Sequence, residues 1–162
     1  MTGEDRLRAD GYRFTAGVRT VDADFDSQGH VNNVAIARWL NQHRIRYVDR
    51  ALSPQWPDHL RETGKVVVAK EVHINYESEG LPGESFVCGT RVAHHRGKAA
   101  IVEQRIVEVA TGRAVARAWI VQLCAQGGKA VAYPDWYWDL VEAWEQRTIP
   151  DEGSAPRTPW GP

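Results

Sequence analysis

The sequence has few cysteines and no long apolar run. Cys88 and Cys124 stand far apart without a CxxC pair, so we expect free thiols, which are typical of the reducing cytoplasm. No apolar stretch approaches the ~18 residues that a membrane span requires, and the polar first residues do not resemble a signal peptide. These absences predict a cytoplasmic protein without a membrane partner.

An excess of charge of one sign is also absent. The chain carries 20 Lys and Arg against 21 Asp and Glu, a formal net charge of −1, which argues against nucleic acid as a partner. Its 6 histidines form no HxH or HxxxH pair beside a cysteine, so we expect no bound metal. The GxSxG and GxxxxGK[ST] patterns are missing too, which leaves a serine-hydrolase elbow and a nucleotide-phosphate loop unsupported.

The length and composition suit one globular domain. With 162 residues, 43% of them hydrophobic and 25% charged, the chain is long enough for a substantial core. We expect a single domain over residues 1–149. The tail, residues 150–162, holds four of the 8 prolines, and this composition predicts disorder.

The order of the predicted elements indicates an α+β fold. Residues 33–52 carry a helical period with Ile36, Leu40, His43 and Tyr47 on one stripe, where His43 is expected to be a core histidine. One apolar helix can cover one face of an antiparallel sheet, and layouts with two packing helices fit this order less well. We therefore predict the hotdog fold, a five-stranded antiparallel sheet wrapped around a long central helix, with a short C-terminal helix. The other predicted segments are strands at 12–21, 68–77, 84–93, 99–109 and 113–124, a loop at 53–64, a tight connection at 94–97 and a helix at 135–146.

The most polar segment lies between the first strand and the long helix. It reads Asp22-Ala23-Asp24-Phe25-Asp26-Ser27-Gln28-Gly29-His30-Val31-Asn32-Asn33, which is typical either of a capped turn or of a site. Asp26 can cap a turn, and it can also serve as a general base or nucleophile. Because the helix begins close behind it, one loop could hold this carboxylate beside free helix amides that polarise a carbonyl.

The segment from Asp24 to Asn33, followed by Arg38-Trp39, resembles the signature of hotdog-fold acyl-CoA thioesterases of the 4-hydroxybenzoyl-CoA thioesterase type. It is also similar to the acyl-carrier-protein thioesterases of plants, which share a D-x-D-x-x-x-H-V-N-N pattern. The resemblance implies hydrolysis of an acyl-CoA thioester, and we expect no cofactor. It also implies that Asp26 is catalytic and that the backbone amide of Asn33 polarises the thioester carbonyl.

Further loop residues are candidates for the site. The resemblance to the plant enzymes implies a direct role for His30, with a hydrogen-bonded loop histidine as the alternative. Gln28 stands where those enzymes have an asparagine of the site. Asn32 is either the cap of the helix or a substrate contact.

Asp24 is a weaker candidate for the catalytic carboxylate than Asp26. Asp24 is expected to be structural, holding the loop through backbone amides. The central helix has no acid before Asp49, whereas some hotdog thioesterases use a helix carboxylate. This difference makes Asp26 the expected centre of the chemistry.

A basic cluster, His94-His95-Arg96-Gly97-Lys98, falls on the predicted connection between two strands. Arginine suits bidentate contact with phosphate oxygens. In the 4-hydroxybenzoyl-CoA type, the corresponding basic stretch contacts the phosphates of the coenzyme. The resemblance therefore implies that Arg96 and Lys98 bind the nucleotide arm, and a solvated hairpin is the alternative.

The resemblance also implies partners. It predicts a homodimer with sites at the subunit interface, often paired into a homotetramer, so that Asp26 and the basic cluster can come from different subunits. The acyl group is carried by coenzyme A or by acyl carrier protein. The aromatic segment from Tyr133 to Trp144 is expected to pack in the core, with capping of the acyl pocket or the dimer as the alternative.

Two rival functions stay open at this point. One is a hotdog protein that binds an acyl-CoA without hydrolysing it. The other is an acyl-CoA hydratase of the same fold, although hydratases carry a D-x-N-P-x-H pattern, and here Asp26 and His30 are one residue closer with no proline between them.

Overall fold

The computed structural model describes residues 1–153, so the predicted tail beyond Gly153 lies outside the described residues. In chain order the elements are α1 (Gly3–Ala9), β1 (Phe14–Gly17), a 3₁₀ turn (Asp22–Asp24), α2 (Asn33–Ala51), α3 (Gln55–Thr63), β2 (Val66–Tyr76), β3 (Phe86–Arg96), β4 (Ala99–Glu108), β5 (Ala114–Gln126), β6 (Lys129–Val131) and α4 (Asp135–Glu145). The strand order in the sheet is β1-β3-β4-β5-β2, and β6 pairs with β5. The α+β class is confirmed, but within residues 1–153 the sheet has six strands rather than the predicted five, because the chain turns after β5 and adds the short strand β6.

The chain forms two compact units. The first comprises residues 1–46, 74–91 and 104–118, and the second comprises residues 47–73, 92–103 and those from 119 onward. Helix α2 and strands β2 to β5 each contribute residues to both units. The expected single domain over residues 1–149 stays a prediction.

The core of the first unit joins α2 to β3 and β4. The ring centroids of Trp39 and Phe86 lie 5.5 Å apart. The buried Nε2 group of Gln104 donates to the carbonyl oxygen of Leu40 at 2.8 Å and to Oγ1 of Thr90 at 3.0 Å, so these donors are satisfied inside the core. His43 is also buried, with its Nδ1 atom 2.7 Å from the carbonyl oxygen of Trp39, as expected for a core histidine.

The core of the second unit is aromatic. Trp56 is fully buried, and its ring centroid lies 4.8 Å from that of Tyr137, which stacks on Tyr133 at 4.2 Å. The hydroxyl of Tyr47 donates to the buried carboxylate of Glu145 at 2.6 Å, and burial raises the pKa of Tyr47. The aromatic segment before and within α4 therefore packs in this core.

The loop predicted over residues 53–64 is wrong, because this segment contains helix α3. Pro54 is its N-cap and Pro57 lies in its first turn, where a missing backbone N–H breaks no helical hydrogen bond. Gly64 ends the helix with φ +68°, the left-handed conformation that glycine adopts without strain. Proline and glycine are common in loops, but here they mark the two ends of a helix that contains the buried Trp56.

The tight connection predicted over residues 94–97 is also corrected, since β3 continues through Arg96 and turns at Gly97. Its last residues pair with the chain after α4. The amide of His95 donates to the carbonyl oxygen of Pro150, and its carbonyl oxygen accepts from the amide of Glu152, both at 3.0 Å. The first residues of the predicted tail are thus hydrogen-bonded to β3, and disorder of the remainder stays a prediction.

Helix α1 was not predicted from the sequence. Its signal is a capping box, in which the side chain of Thr2 accepts from the amide of Asp5 and the Asp5 carboxylate accepts from the amide of Thr2. Leu7 is the buried residue of its apolar face. Across residues 1–153, no helix combines the length and the hydropathy needed to cross a bilayer.

Candidate functional site

The polar loop before α2 is held by a buried carboxylate. The side chain of Asp24 is 1% exposed and forms an ion pair with Arg38 of α2. Its second oxygen accepts from the amide of Val21 at 3.0 Å. Asp24 therefore links the start of the loop to the helix, which agrees with the structural role expected for it.

Asp26 begins a tight turn and lines a cavity. Its Oδ1 atom accepts from the amide of Gln28 at 2.9 Å and from the amide of His30 at 3.2 Å. The turn is closed by the Asp26 amide donating to the carbonyl oxygen of His30 at 2.8 Å, with Gly29 at φ +80°. Within residues 1–153, Oδ2 has no hydrogen-bond partner, so the side chain caps the turn with one oxygen and keeps the other available.

Helix α2 presents free amides beside this turn. The side chain of Asn32 caps it, with Oδ1 accepting from the amide of Ala35 at 2.7 Å. The Nδ2 group of Asn32 donates to the carbonyl oxygens of Ala23 and Asp24, which fixes the cap on the loop. In the described part of the chain, the amides of Asn33 and Val34 meet no intramolecular acceptor, so the positive end of the helix is open.

The opposite wall of the cavity follows β2. The amide of Val31 donates to the carbonyl oxygen of Gly80 at 2.9 Å, which ties the loop to this wall. The Nε2 atom of His30 lies 3.3 Å from the carboxylate of Glu79, with the two side chains 33% and 66% exposed. The cavity has a volume of about 290 Å³ and is lined by Asp26, His30, Val31, Asn33, Ile36 and residues 76–80.

The arrangement brings a carboxylate, an imidazole and helix amides to one cavity with an apolar side. Such a set can activate water or attack a carbonyl while the amides stabilise a developing oxyanion. Neither cysteine thiol is suited to replace the Asp26 carboxylate as the nucleophile. Burial raises the pKa of Cys88 to about 12, and burial also raises the pKa of Cys124.

Comparison with known proteins identifies the family. Residues 18–144 match the family model of the Thioesterase-like superfamily. The chain belongs to this superfamily. Comparison with curated proteins gives no significant match.

Solved structures of other proteins resemble the fold of this chain. A thioesterase from Thermus thermophilus, solved in complex with coenzyme A and Zn, is 24% identical with a TM-score of 0.74, covering 86% of this chain and 99% of that chain. The 4-hydroxybenzoyl-CoA thioesterase from Pseudomonas sp. strain CBS-3 is 21% identical with a TM-score of 0.70, covering 78% and 97%. The probable thioesterase YbaW from Escherichia coli is 22% identical with a TM-score of 0.67, covering 83% and 98%. The predicted hotdog fold is confirmed.

The remaining predicted site residues lie in different surroundings. Gln28 is exposed, and its backbone amide holds the turn. Arg96 and Lys98 belong to the second unit, at the end of β3 and in the turn to β4, and the Nζ atom of Lys98 is 3.4 Å from the carbonyl oxygen of Ala130. Among the described residues, no three His, Cys, Asp or Glu side chains converge on a possible metal position.

Sequence reasoning missed the wall formed by Tyr76, Glu79 and Gly80. These residues lie at and after the end of β2, far along the chain from the polar loop, and Glu79 and Gly80 fall between two predicted strands. A carboxylate in a turn is ordinary, so no local pattern distinguishes Glu79. Only the contact between the polar loop and the segment after β2 brings Glu79 to His30.

Gly80 provides a test of how closely the two walls pack. A Cβ atom at Gly80 would lie 2.7 Å from Cγ2 of Val31 and 3.0 Å from Cζ of Phe86. We expect Gly80→Ala to lower the free energy of unfolding by about 1–3 kcal/mol, because the added methyl group overpacks the site. Urea denaturation measures this change.

The matched control is Gly17→Ala, since a Cβ atom at Gly17 would meet nothing within 4 Å. It should leave the free energy of unfolding nearly unchanged. Equal stability of the Gly80→Ala and Gly17→Ala proteins would contradict the close packing of the walls.

Proposed function

We propose that the protein hydrolyses acyl-CoA thioesters to a free acid and coenzyme A, with Asp26 as general base or nucleophile. The observation that carries this proposal is that Asp26, His30 and Asn33, the first residue of α2, line the same cavity. Membership of the Thioesterase-like superfamily supports the reaction class. The coenzyme A bound to the Thermus thermophilus thioesterase supports the choice of thioester.

In the general-base mechanism, Asp26 removes a proton from water as the water oxygen attacks the thioester carbonyl carbon. The oxyanion accepts a hydrogen bond from the amide of Asn33, at the positive end of α2. The C–S bond then breaks, and the thiolate of coenzyme A takes the proton from Asp26. In the nucleophilic alternative, Asp26 attacks the carbonyl carbon itself, and the C–S bond breaks to release the thiolate of coenzyme A. Water then hydrolyses the resulting mixed anhydride and supplies the proton that the thiolate takes up.

The proposed role of His30 is to orient or activate the attacking water. Its Nε2 atom lies 3.3 Å from Glu79, so an N–H at Nε2 would donate to that carboxylate and leave Nδ1 as the acceptor. Gln28 and Asn32 stay proposed substrate contacts, although the side chain of Asn32 already caps α2 and holds the loop.

Arg96 and Lys98 are proposed to bind the phosphates of the coenzyme, because a guanidinium and an ammonium group both suit phosphate oxygens. Replacing both with glutamine should raise KM for an acyl-CoA more than it lowers kcat, since the phosphates lie away from the reacting carbonyl. Steady-state kinetics measures both constants, with Arg50→Gln, at an exposed arginine of α2, as the control. An unchanged KM in the double variant would favour the solvated hairpin instead.

We also propose a homodimer, or a tetramer built from dimers. Strand β2 lies at one end of the strand order, and Val66, Val68 and Val72 on one of its faces are 53%, 40% and 55% exposed. An edge strand with exposed valines is suited to pairing with a second copy. The cytoplasm is the proposed location, supported by two free, buried cysteines, Cys88 and Cys124.

The test is thiol release from short, medium, long and aromatic acyl-CoA thioesters, with acyl-carrier-protein thioesters as a second series. We expect hydrolysis of at least one acyl-CoA by the folded protein. Hydrolysis of the acyl-carrier-protein thioesters alone would show that the substrate is carried by acyl carrier protein and not by coenzyme A. Binding of acyl-CoA without thiol release would instead support the non-catalytic binder, and hydration of an enoyl-CoA would support the hydratase.

A further inference from the structure

One arginine holds the wall of the cavity that carries Glu79. Arg113 lies directly before β5. Its Nη1 atom donates to Oγ of Ser78 at 2.7 Å and to the carbonyl oxygen of Glu79. Its Nη2 atom donates to both carboxylate oxygens of Glu84, at 2.6 and 2.7 Å. One guanidinium therefore bonds three residues of the segment that follows β2.

These bonds extend to the turn on the opposite wall. The carboxylate of Glu84 also accepts from the amide of Leu81 at 2.8 Å, so the backbone is fixed on both sides of Gly80. The carbonyl oxygen of Gly80 accepts from the amide of Val31, the residue after His30. Hydrogen bonds thus connect Arg113 to the segment that carries Glu79 and, through Gly80, to the residue after His30, although Arg113 is not among the residues that line the cavity.

We propose that Arg113 is a positioning residue for the reaction, a role that rests on the proposed thioester hydrolysis. It fixes the backbone of Glu79 and Gly80, and through these residues it fixes the positions of the His30 imidazole and of the turn that contains Asp26. The planar fork of a guanidinium can make these bonds at once, whereas the ammonium group of lysine is a point charge. The side chains of Arg113 and Glu84 are 34% and 24% exposed, so water screens the pair only in part.

Loss of a positioning residue should lower kcat and change KM little. We call the hydrogen bonds of Arg113 to Ser78, Glu79 and Glu84 the clamp. Arg113→Gln removes the clamp without removing a group that contacts substrate. Displacement of a catalytic group by about 1 Å can lower the rate by up to ~100-fold. We expect kcat to fall by about 10- to 100-fold with a small change in KM. Arg113→Lys keeps the charge but loses the fork, so it should recover only part of kcat.

The experiment compares Arg113→Gln, Arg113→Lys and Glu84→Gln with Arg61→Gln as the matched control. Arg61 also pairs with a carboxylate, that of Asp58, but on the exposed face of α3. Steady-state kinetics on the best acyl-CoA is combined with hydrogen exchange of peptides covering residues 25–36 and 76–84. The Arg113→Gln and Glu84→Gln effects on kcat should be less than additive in the double variant, because both remove the same clamp.

Hydrogen exchange keeps the inference separate from the proposed function. Faster exchange at the Val31 amide in Arg113→Gln, with unchanged exchange in Arg61→Gln, supports the clamp even if the native protein hydrolyses no thioester. Unchanged exchange at Val31 overturns it. If the native protein is active, native kcat in a folded Arg113→Gln or Arg113→Lys protein also overturns the inference while leaving the proposed function intact.

Discussion

Asp26→Asn is expected to lower kcat about 1000-fold, within the range typical of the loss of a general base. The asparagine side chain still offers an oxygen to the amides of Gln28 and His30, which now bond to Oδ1 of Asp26 at 2.9 and 3.2 Å. The turn should therefore persist while the basic and nucleophilic group is lost. KM and thermal stability should change little, and thiol release measures the loss of kcat.

The matched control is Asp22→Asn, which neutralises an exposed carboxylate in the same loop. We expect this protein to retain native kcat. Comparable activity of Asp26→Asn and Asp22→Asn would rule out Asp26 as base or nucleophile.

Arg38→Ala is expected to destabilise the fold by about 1–3 kcal/mol, since removing Arg38 leaves the buried carboxylate of Asp24 without its counterion. The Asp24 side chain is 1% exposed, whereas that of Arg38 is 45% exposed. The cost therefore comes from the buried carboxylate, which, among residues 1–153, would keep only the amide of Val21 as a donor. Urea denaturation gives the change, and kcat should fall as well because Asp24 holds the loop of Asp26.

Arg46→Ala serves as the control, because Arg46 is an exposed arginine of the same helix. Arg46→Ala should lower the free energy of unfolding much less than Arg38→Ala does. Adding Asp24→Asn to Arg38→Ala should restore part of the lost stability, since a neutral amide needs no counterion. A double variant that is no more stable than Arg38→Ala alone would show that the buried charge is not the cause.

The polar loop could be predicted largely from the sequence because its interactions are local. The cap of α2 by Asn32 and the turn of Asp26 each join residues a few positions apart, and Asx side chains have strong preferences at such positions. The stripe of buried residues on α2 followed from helical periodicity. In both cases the residues that interact are close together in the chain, so the pattern is visible in the sequence.

The opposite wall could not be predicted in this way. Glu79 and Arg113 contribute through contacts with residues far away in the sequence, and no local pattern near either residue indicates these contacts. Pro54 and Gly64 were ambiguous for a different reason, because both residue types are common in loops and at helix ends. The burial of Trp56, a tertiary effect, decides between these alternatives.

The most direct test of the central claim is a crystal structure of the Asp26→Asn protein with an intact acyl-CoA bound. We expect the thioester carbonyl oxygen to lie about 3 Å from the amide nitrogen of Asn33, within the range of an oxyanion-type hydrogen bond. The substituted side chain at position 26 should then face the carbonyl carbon. A thioester bound with its carbonyl away from both the start of α2 and position 26 would contradict the account.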